Sequence, residues 1–320
     1  MPLKMRPGST PRKYGSWRSG YDESARAWVS GADAALAALK LERADVVSEL
    51  LRAEAYFQER TRGNQWALDS LKLVRSLTQL LLGRIEALRA RLPEDIEDAR
   101  RRGDRYLETT LRRGATLVHL CDGDVDGARR ALDESTWTPR EQGFHIQHWL
   151  ELDGRLLVEL FVGDASTALE RHEGELRALG RSLVSRLQRP RILSKANLGK
   201  LWLARAAARK DRGALLRVSW MARQLWGEEL GYARVRALLL RAGIAGVRGR
   251  PDDAIPLLRE TIELADRIGL DLTAAVARRR LAARVGGDEG RALLARSDAF
   301  MQAERVLVPE RIAEVEAPYA

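Results

Sequence analysis

The chain has a single cysteine, Cys121, among 320 residues. One thiol closes no intrachain disulfide, which fits a reducing, cytoplasmic setting. Aromatic residues are 6% of the chain and β-branched residues are few, so sheet is disfavoured. No alternating apolar–polar run bounded by turn residues marks a strand. No apolar run approaches the ~18 residues that a membrane span needs. The N-terminus has charge but no hydrophobic stretch of the kind a secretion signal carries. Catalytic signatures are missing as well. There is no Gly-rich loop followed by a Val-Ala-Ile-Lys-like strand, no His-Arg-Asp loop and no Asp-Phe-Gly. Nor is there a G-x-x-x-x-G-K-[ST] phosphate cradle. The expectation is a protein that is not an enzyme and carries no cofactor.

Leu, Ala, Arg and Glu dominate what is present, a composition that favours helix. Net charge is +10, with 55 basic residues of which seven are Lys. Residues 1–20 hold Lys4, Arg6, Arg12, Lys13 and Arg18, no acid, and three each of Pro, Gly and Ser. This stretch reads as a disordered basic tail. The remaining excess is spread over the other 300 residues and makes a weak field. The triplets Arg100-Arg101-Arg102 and Arg278-Arg279-Arg280 each fan around a helix axis, so they read as solvated charge. Nucleic-acid binding through the tail and an Arg-rich surface is the alternative function.

The most informative stretch is Arg236 to Ala265. Gly249 follows an apolar run and is placed to end a helix in the left-handed conformation. Pro251 suits the first turn of the next helix, and Asp252 and Asp253 set negative charge at its positive end. Ala242, Gly243, Ala245 and Gly246 are small, so a partner helix can come close. The pattern recurs. Gly123, Gly163 and Gly287 each open a similar turn, and an alanine stands five residues after each glycine: Ala128, Ala168, Ala254 and Ala292. Lys210 replaces the glycine in a divergent unit. Self-similarity at a period near 40 marks stacked supersecondary units.

These turns resemble the tetratricopeptide repeat, which closes its first helix with a Gly–Asp-like turn and places a small residue five positions on. The segment from Gly286 to Ile312 also resembles the end of the helical-repeat arm that follows the kinase or ATPase domain in large bacterial serine/threonine kinase-type signalling proteins. The resemblance implies an all-α fold of antiparallel hairpins stacked as a right-handed solenoid, with about eleven to fourteen helices. The expected division is a tail over 1–20, an N-terminal helical region of unclear register over 21–105, the repeat array over 106–312 and a C-terminal tail over 313–320. In the N-terminal region a long helix is expected from about Gln65 to Arg91, and Pro93 starts another. Thr138, Pro139 and Glu141 read as a helix start.

The resemblance also implies a concave groove lined by the first helix of each unit. Its groove positions fall on Arg113, Asn197, Lys200, Arg236 and Arg284, with Leu117, Leu157 and Phe161 as apolar members. Such cations suit an acidic or carboxylate-ended peptide. The expected function is therefore a protein- or peptide-binding scaffold or regulatory module in bacterial signalling, its partner another protein or acidic peptide such as a kinase or ATPase component. Glu141, His145, His148 and Glu151 share one helical face, yet Zn²⁺ sites usually draw a ligand from a second element, so no metal is expected. Cys121 reads as a small buried apolar group, and every Trp but Trp17 as core.

Overall fold

The computed structural model describes residues 23–40, 45–61, 63–135 and 143–320, and these form helices and turns without strands. In order they are α1 (Glu23–Lys40), α2 (Val46–Arg60), α3 (Gln65–Leu82), α4 (Ile85–Arg101), α5 (Arg105–Gly114), α6 (Thr116–Cys121), α7 (Val125–Asp133), α8 (Ile146–Val162) and α9 (Ala165–Arg171). Then come α10 (Glu173–Arg181), α11 (Gln188–Arg209), α12 (Arg212–Trp226), α13 (Gly231–Val247), α14 (Ala254–Ile268), α15 (Asp271–Val285), α16 (Gly287–Ala303) and α17 (Pro309–Glu316). That is more segments than the eleven to fourteen expected. Part of the excess comes from short breaks, at Ala115 between α5 and α6 and at His172 between α9 and α10. The tail over 1–20, Trp137 and the Thr138-Pro139-Glu141 helix start lie outside the described residues.

The turns form because glycine ends one helix and aspartate begins the next. Gly123, Gly163 and Gly249 all hold positive φ, and a missing Cβ makes that conformation cheap. At the turns after Gly103, Gly123 and Lys210 the following aspartate caps its helix. Asp104 accepts from the Leu107 amide at 2.9 Å, Asp124 from Gly127 at 2.7 Å and Asp211 from Ala214 at 3.1 Å. Lys210 itself sits at φ 52°, taking the glycine's conformation despite its side chain. Positive-φ glycines also recur at 63, 83, 103, 123, 143 and 163. The spacing is twenty residues, so the N-terminal region shares the hairpin period that begins to be visible only at Gly123. Ala128, Ala168 and Ala254 are fully buried where helices meet. Ala292 is exposed and Gly290 is buried in its place, so the last repeat is shifted by two residues.

Two expected helix limits fall differently. Gly83 breaks the run from Gln65, and α4 begins at Ile85. Pro93 lies inside α4 rather than at its start. The apolar pattern continued through the break because Leu81, Leu82, Ile85 and Leu88 are all buried; periodicity reports burial, and burial did not change at the turn.

Neighbours in sequence pack as pairs throughout, and the array also turns back on itself. α3 packs on α5, α5 on α8, α8 on α11, α11 on α13, and α15 returns to α3. Arg84 pairs with Asp271 at 2.8 Å across this closure, and the Glu86 amide donates to Glu304 at 2.9 Å. The N-terminal region is thus one wall of the same body. α17 lies across the interior against α6, α8 and α15. Ile312, Ala313, Val315 and Ala317 have no exposed surface. Much of the stretch expected as a tail over 313–320 is therefore packed into the core, with Glu314 and Tyr319 exposed. Gly243 and Gly246 are the contact points: a Cβ on either would run into the backbone of Pro318 and Tyr319. The small residues of α13 accommodate two close partners: Leu203 of α11 at Gly243, and the turn that follows α17 at both glycines.

Gly83 and Gly249 allow a clean test of the closure. Both need positive φ, but a Cβ at Gly83 would overlap Leu272 of α15, whereas Gly249 has open space around it. Gly249→Ala should cost only the left-handed strain, roughly 1–2 kcal/mol. Gly83→Ala should cost clearly more in urea unfolding. Equal costs would show that the α3–α15 contact yields without penalty.

Candidate functional site

The inner helices enclose a cavity of about 120 Å³. Of the eight residues expected along an open groove, Arg113, Leu117, Leu157, Asn197, Lys200 and Arg236 all line it. They are brought together by α5, α6, α8, α11 and α13, but they do not form an exposed surface. Arg113, Asn197, Lys200 and Arg236 are each at most 9% exposed. The remaining two, Phe161 and Arg284, sit outside the cavity and hold the last segment. Arg284 donates to the backbone oxygen of Ala320 at 2.9 Å, and Arg311 donates to the carbonyl of Phe161 while lying over its ring.

Each buried cation has a partner. Arg113 donates to the Gln147 side chain at 2.7 Å and carbonyl at 2.8 Å, to the Ser135 carbonyl at 2.6 Å and to Glu151 at 3.0 Å. Lys200 and Arg236 converge on Glu316 of α17, Lys200 at 3.5 Å and Arg236 in direct contact. An acidic group on a helix does occupy the position where an acidic partner was expected, and that helix belongs to the same chain. Asn197 donates to Asp153 at 2.7 Å. Asp153 lies deep in the fold but keeps some accessible surface because it faces the cavity.

Burial and charge act against each other here. Burial alone would raise the Glu316 carboxyl, but Arg236 and then Lys200 overcome it and hold the group at about 2. Burial raises Asp153 to about 6, against the pull of Asn197, Lys200 and Arg236, and Glu316 adds to the rise. Burial also lowers the Lys200 ammonium. The cluster is a compact set of opposed charges in a low-dielectric interior, where losing Glu316 leaves Lys200 and Arg236 uncompensated.

Asp153, Glu316 and Arg189 are the site residues that sequence reasoning missed. Their signal was present. Asp153 falls between Trp149 and Leu157 at i, i+4 spacing on an apolar face. Glu316 follows Ile312 at the same spacing, in a short amphipathic helix that opens with Pro309. Arg189 precedes Pro190 in the first turn of α11 and donates to the Ala38 carbonyl at 3.0 Å.

Other expectations meet a clear outcome. Glu151 is engaged by Arg113 and Arg155, and the His148 Nδ1 accepts from the His145 amide at 2.9 Å. Glu141 lies outside the described residues, and among those described no group of three His, Cys, Asp or Glu is placed to hold a metal. Cys121 is buried, and burial pushes its thiol well above the ordinary range. The second arginine triplet is not solvated. Arg278 binds Asp266, Arg279 binds Asp298 and Glu310, and Arg280 donates to the Ala317 carbonyl at 3.0 Å. Trp28, Trp66 and Trp220 are exposed rather than core, Trp66 by 73%. Trp28 stacks on Trp66 at 5.8 Å and meets the Phe57 edge. Comparison of the chain with protein-family models, curated proteins and solved structures returns no match.

Glu316 and Asp153 should pull stability in opposite directions with pH. Glu316 titrates below its ordinary 4.5, so its contribution is full above that value and is lost as pH falls toward 2. Asp153 titrates above its ordinary 3.8, so its ionised form costs stability, and that cost disappears as pH falls through 6 toward 4. Thermal unfolding across this range should show Glu316→Gln destabilised at neutral pH by about 3–5 kcal/mol, the cost of stranding buried charge. Asp153→Asn should gain stability relative to wild type at about pH 8 and not at about pH 4.

Proposed function

We propose that this chain is a non-catalytic ligand-binding module of the helical-repeat class, tetratricopeptide-like in its hairpins, whose ligand is taken inside the ring of inner helices. The observation that carries the reading is the convergence of six expected groove residues on one cavity. Leucines such as Leu77, Leu80, Leu117, Leu157 and Leu193 form its apolar side, and the charged groups of Arg113, Asp153, Arg189, Lys200, Arg236 and Glu316 form its polar side. A concave apolar pocket with a few convergent polar groups is the usual form of a small-molecule site.

An external acidic peptide is the second reading, and the seat of Glu316 on Lys200 and Arg236 favours its chemistry. Such a peptide has to displace α17. Fully burying Ile312 and Val315 is worth roughly 1.5–3 kcal/mol each, and a tethered segment competes at an effective concentration of about millimolar. The intramolecular helix holds that position against a partner of ordinary affinity. A role in bacterial signalling remains part of this proposal, with binding inside the ring as the input. The nucleic-acid reading loses the Arg278–Arg280 surface, whose three guanidinium groups are already engaged.

The test is a neutral apolar probe. Toluene at saturation should raise the unfolding midpoint of wild type, because binding to the folded state alone stabilises it. Leu117→Trp fills the cavity and should abolish the shift with helicity retained; Leu157→Phe is the milder filling variant. A toluene shift that persists in both folded variants would place binding elsewhere and remove this reading.

A further inference from the structure

Resting on the reading of the cavity as the ligand site, we propose that its ligand is a small organic carboxylate with an apolar body about the size of a benzene ring, the carboxylate being taken by Arg189. Volume sets the body. A dry apolar cavity of about 150 Å³ is enough to bind benzene, and this one is about 120 Å³. The leucines and Trp149 supply contact on several sides without a donor aimed inward, since the Trp149 indole already donates to Ser194 at 2.9 Å.

Charge sets the head group. Lys200 and Arg236 share the Glu316 carboxylate, and Arg113 is held by Glu151 and two carbonyls. Asp153 is held by Asn197 and lies within the field of Lys200 and Arg236. Arg189 differs from all of these. Its hydrogen bond among the described residues goes to the Ala38 carbonyl, and no carboxylate pairs with it. Its Nε is buried without a hydrogen-bond partner, as are those of Arg113 and Arg236; what sets Arg189 apart is the lack of a paired carboxylate. A guanidinium in an apolar wall with no carboxylate opposite is an incomplete ion pair, and a planar carboxylate is the group whose geometry completes it. Lys200 and Arg236 lie near Glu316 and Asp153, so Arg189 is the cavity cation left without a carboxylate.

Phenylacetate, toluene and 2-phenylethylamine share one ring and differ in charge, and calorimetric titration of the full chain with each separates the possibilities. Phenylacetate should bind about ten-fold or more tighter than the other two, the scale of a charged hydrogen bond. Arg189→Gln should remove that advantage and leave toluene affinity unchanged, and Arg189→Lys should keep most of it; the lysine variant also serves if the glutamine variant loses helicity. Phenylacetate binding unchanged in Arg189→Gln overturns the assignment to Arg189. Amine binding as tight as phenylacetate overturns the carboxylate and moves recognition to Asp153. Toluene binding without any gain for phenylacetate overturns the carboxylate while leaving the cavity as the site. Binding by none of the three overturns both this proposal and the reading on which it rests.

Discussion

Glu316 enters the interior on α17 and meets Lys200 and Arg236, which come from two different helix pairs. A buried ion pair of this kind adds little net stability against an apolar replacement, but it is costly to leave half made. The two cations therefore need α17 in place, and α17 needs the ring to be closed around it. The small face of α13 serves the same arrangement. Gly243 and Gly246 let the backbone of Pro318 and Tyr319 approach closer than any side chain would allow, while Arg280 and Arg284 bind the carbonyls of Ala317 and Ala320. Charge, close packing and backbone hydrogen bonds all hold one segment across the middle of the array.

Closure changes what a helical array can do. An open stack offers a long concave surface suited to an extended peptide. Here the helix that would face such a peptide is supplied from within, and what is left unfilled is a small cavity beside it. A site of this size selects on volume and on one or two polar contacts rather than on sequence. It also couples occupancy to the fold, since its walls come from helices as distant in the chain as α3 and α15. A ligand bound there stabilises contacts on both sides of the ring closure.

Much of the positive charge that suggested an external polyanion is spent internally. Arg75 is fully buried between Glu54 at 2.7 Å and Asp95 at 2.6 Å, joining α2, α3 and α4. Arg102 binds Asp69 from α3, and Arg191 binds Glu228 across α11 and the end of α12. Arginine's planar fork suits such pairs between helices better than lysine's point charge. An arginine-rich composition is then a consequence of how the helices are joined, at least for these residues.

The all-helical class and the Gly–Asp turns were legible in the sequence, because caps and left-handed glycines act within a few residues of chain. The twenty-residue glycine series from Gly63 was legible too, had the turns been counted rather than the alanines. The resemblance to tetratricopeptide units also singled out Arg113, Leu117, Leu157, Asn197, Lys200 and Arg236, as groove positions counted back from each turn. It did not determine whether that face is open. That depended on α15 meeting α3 and on Glu316 reaching Lys200 and Arg236, contacts between residues 80 or more apart that no local pattern encodes. Local backbone chemistry decides where helices begin and end. Burial, charge pairing and the space left at the centre are properties of the assembled whole, and only the tertiary structure decided them.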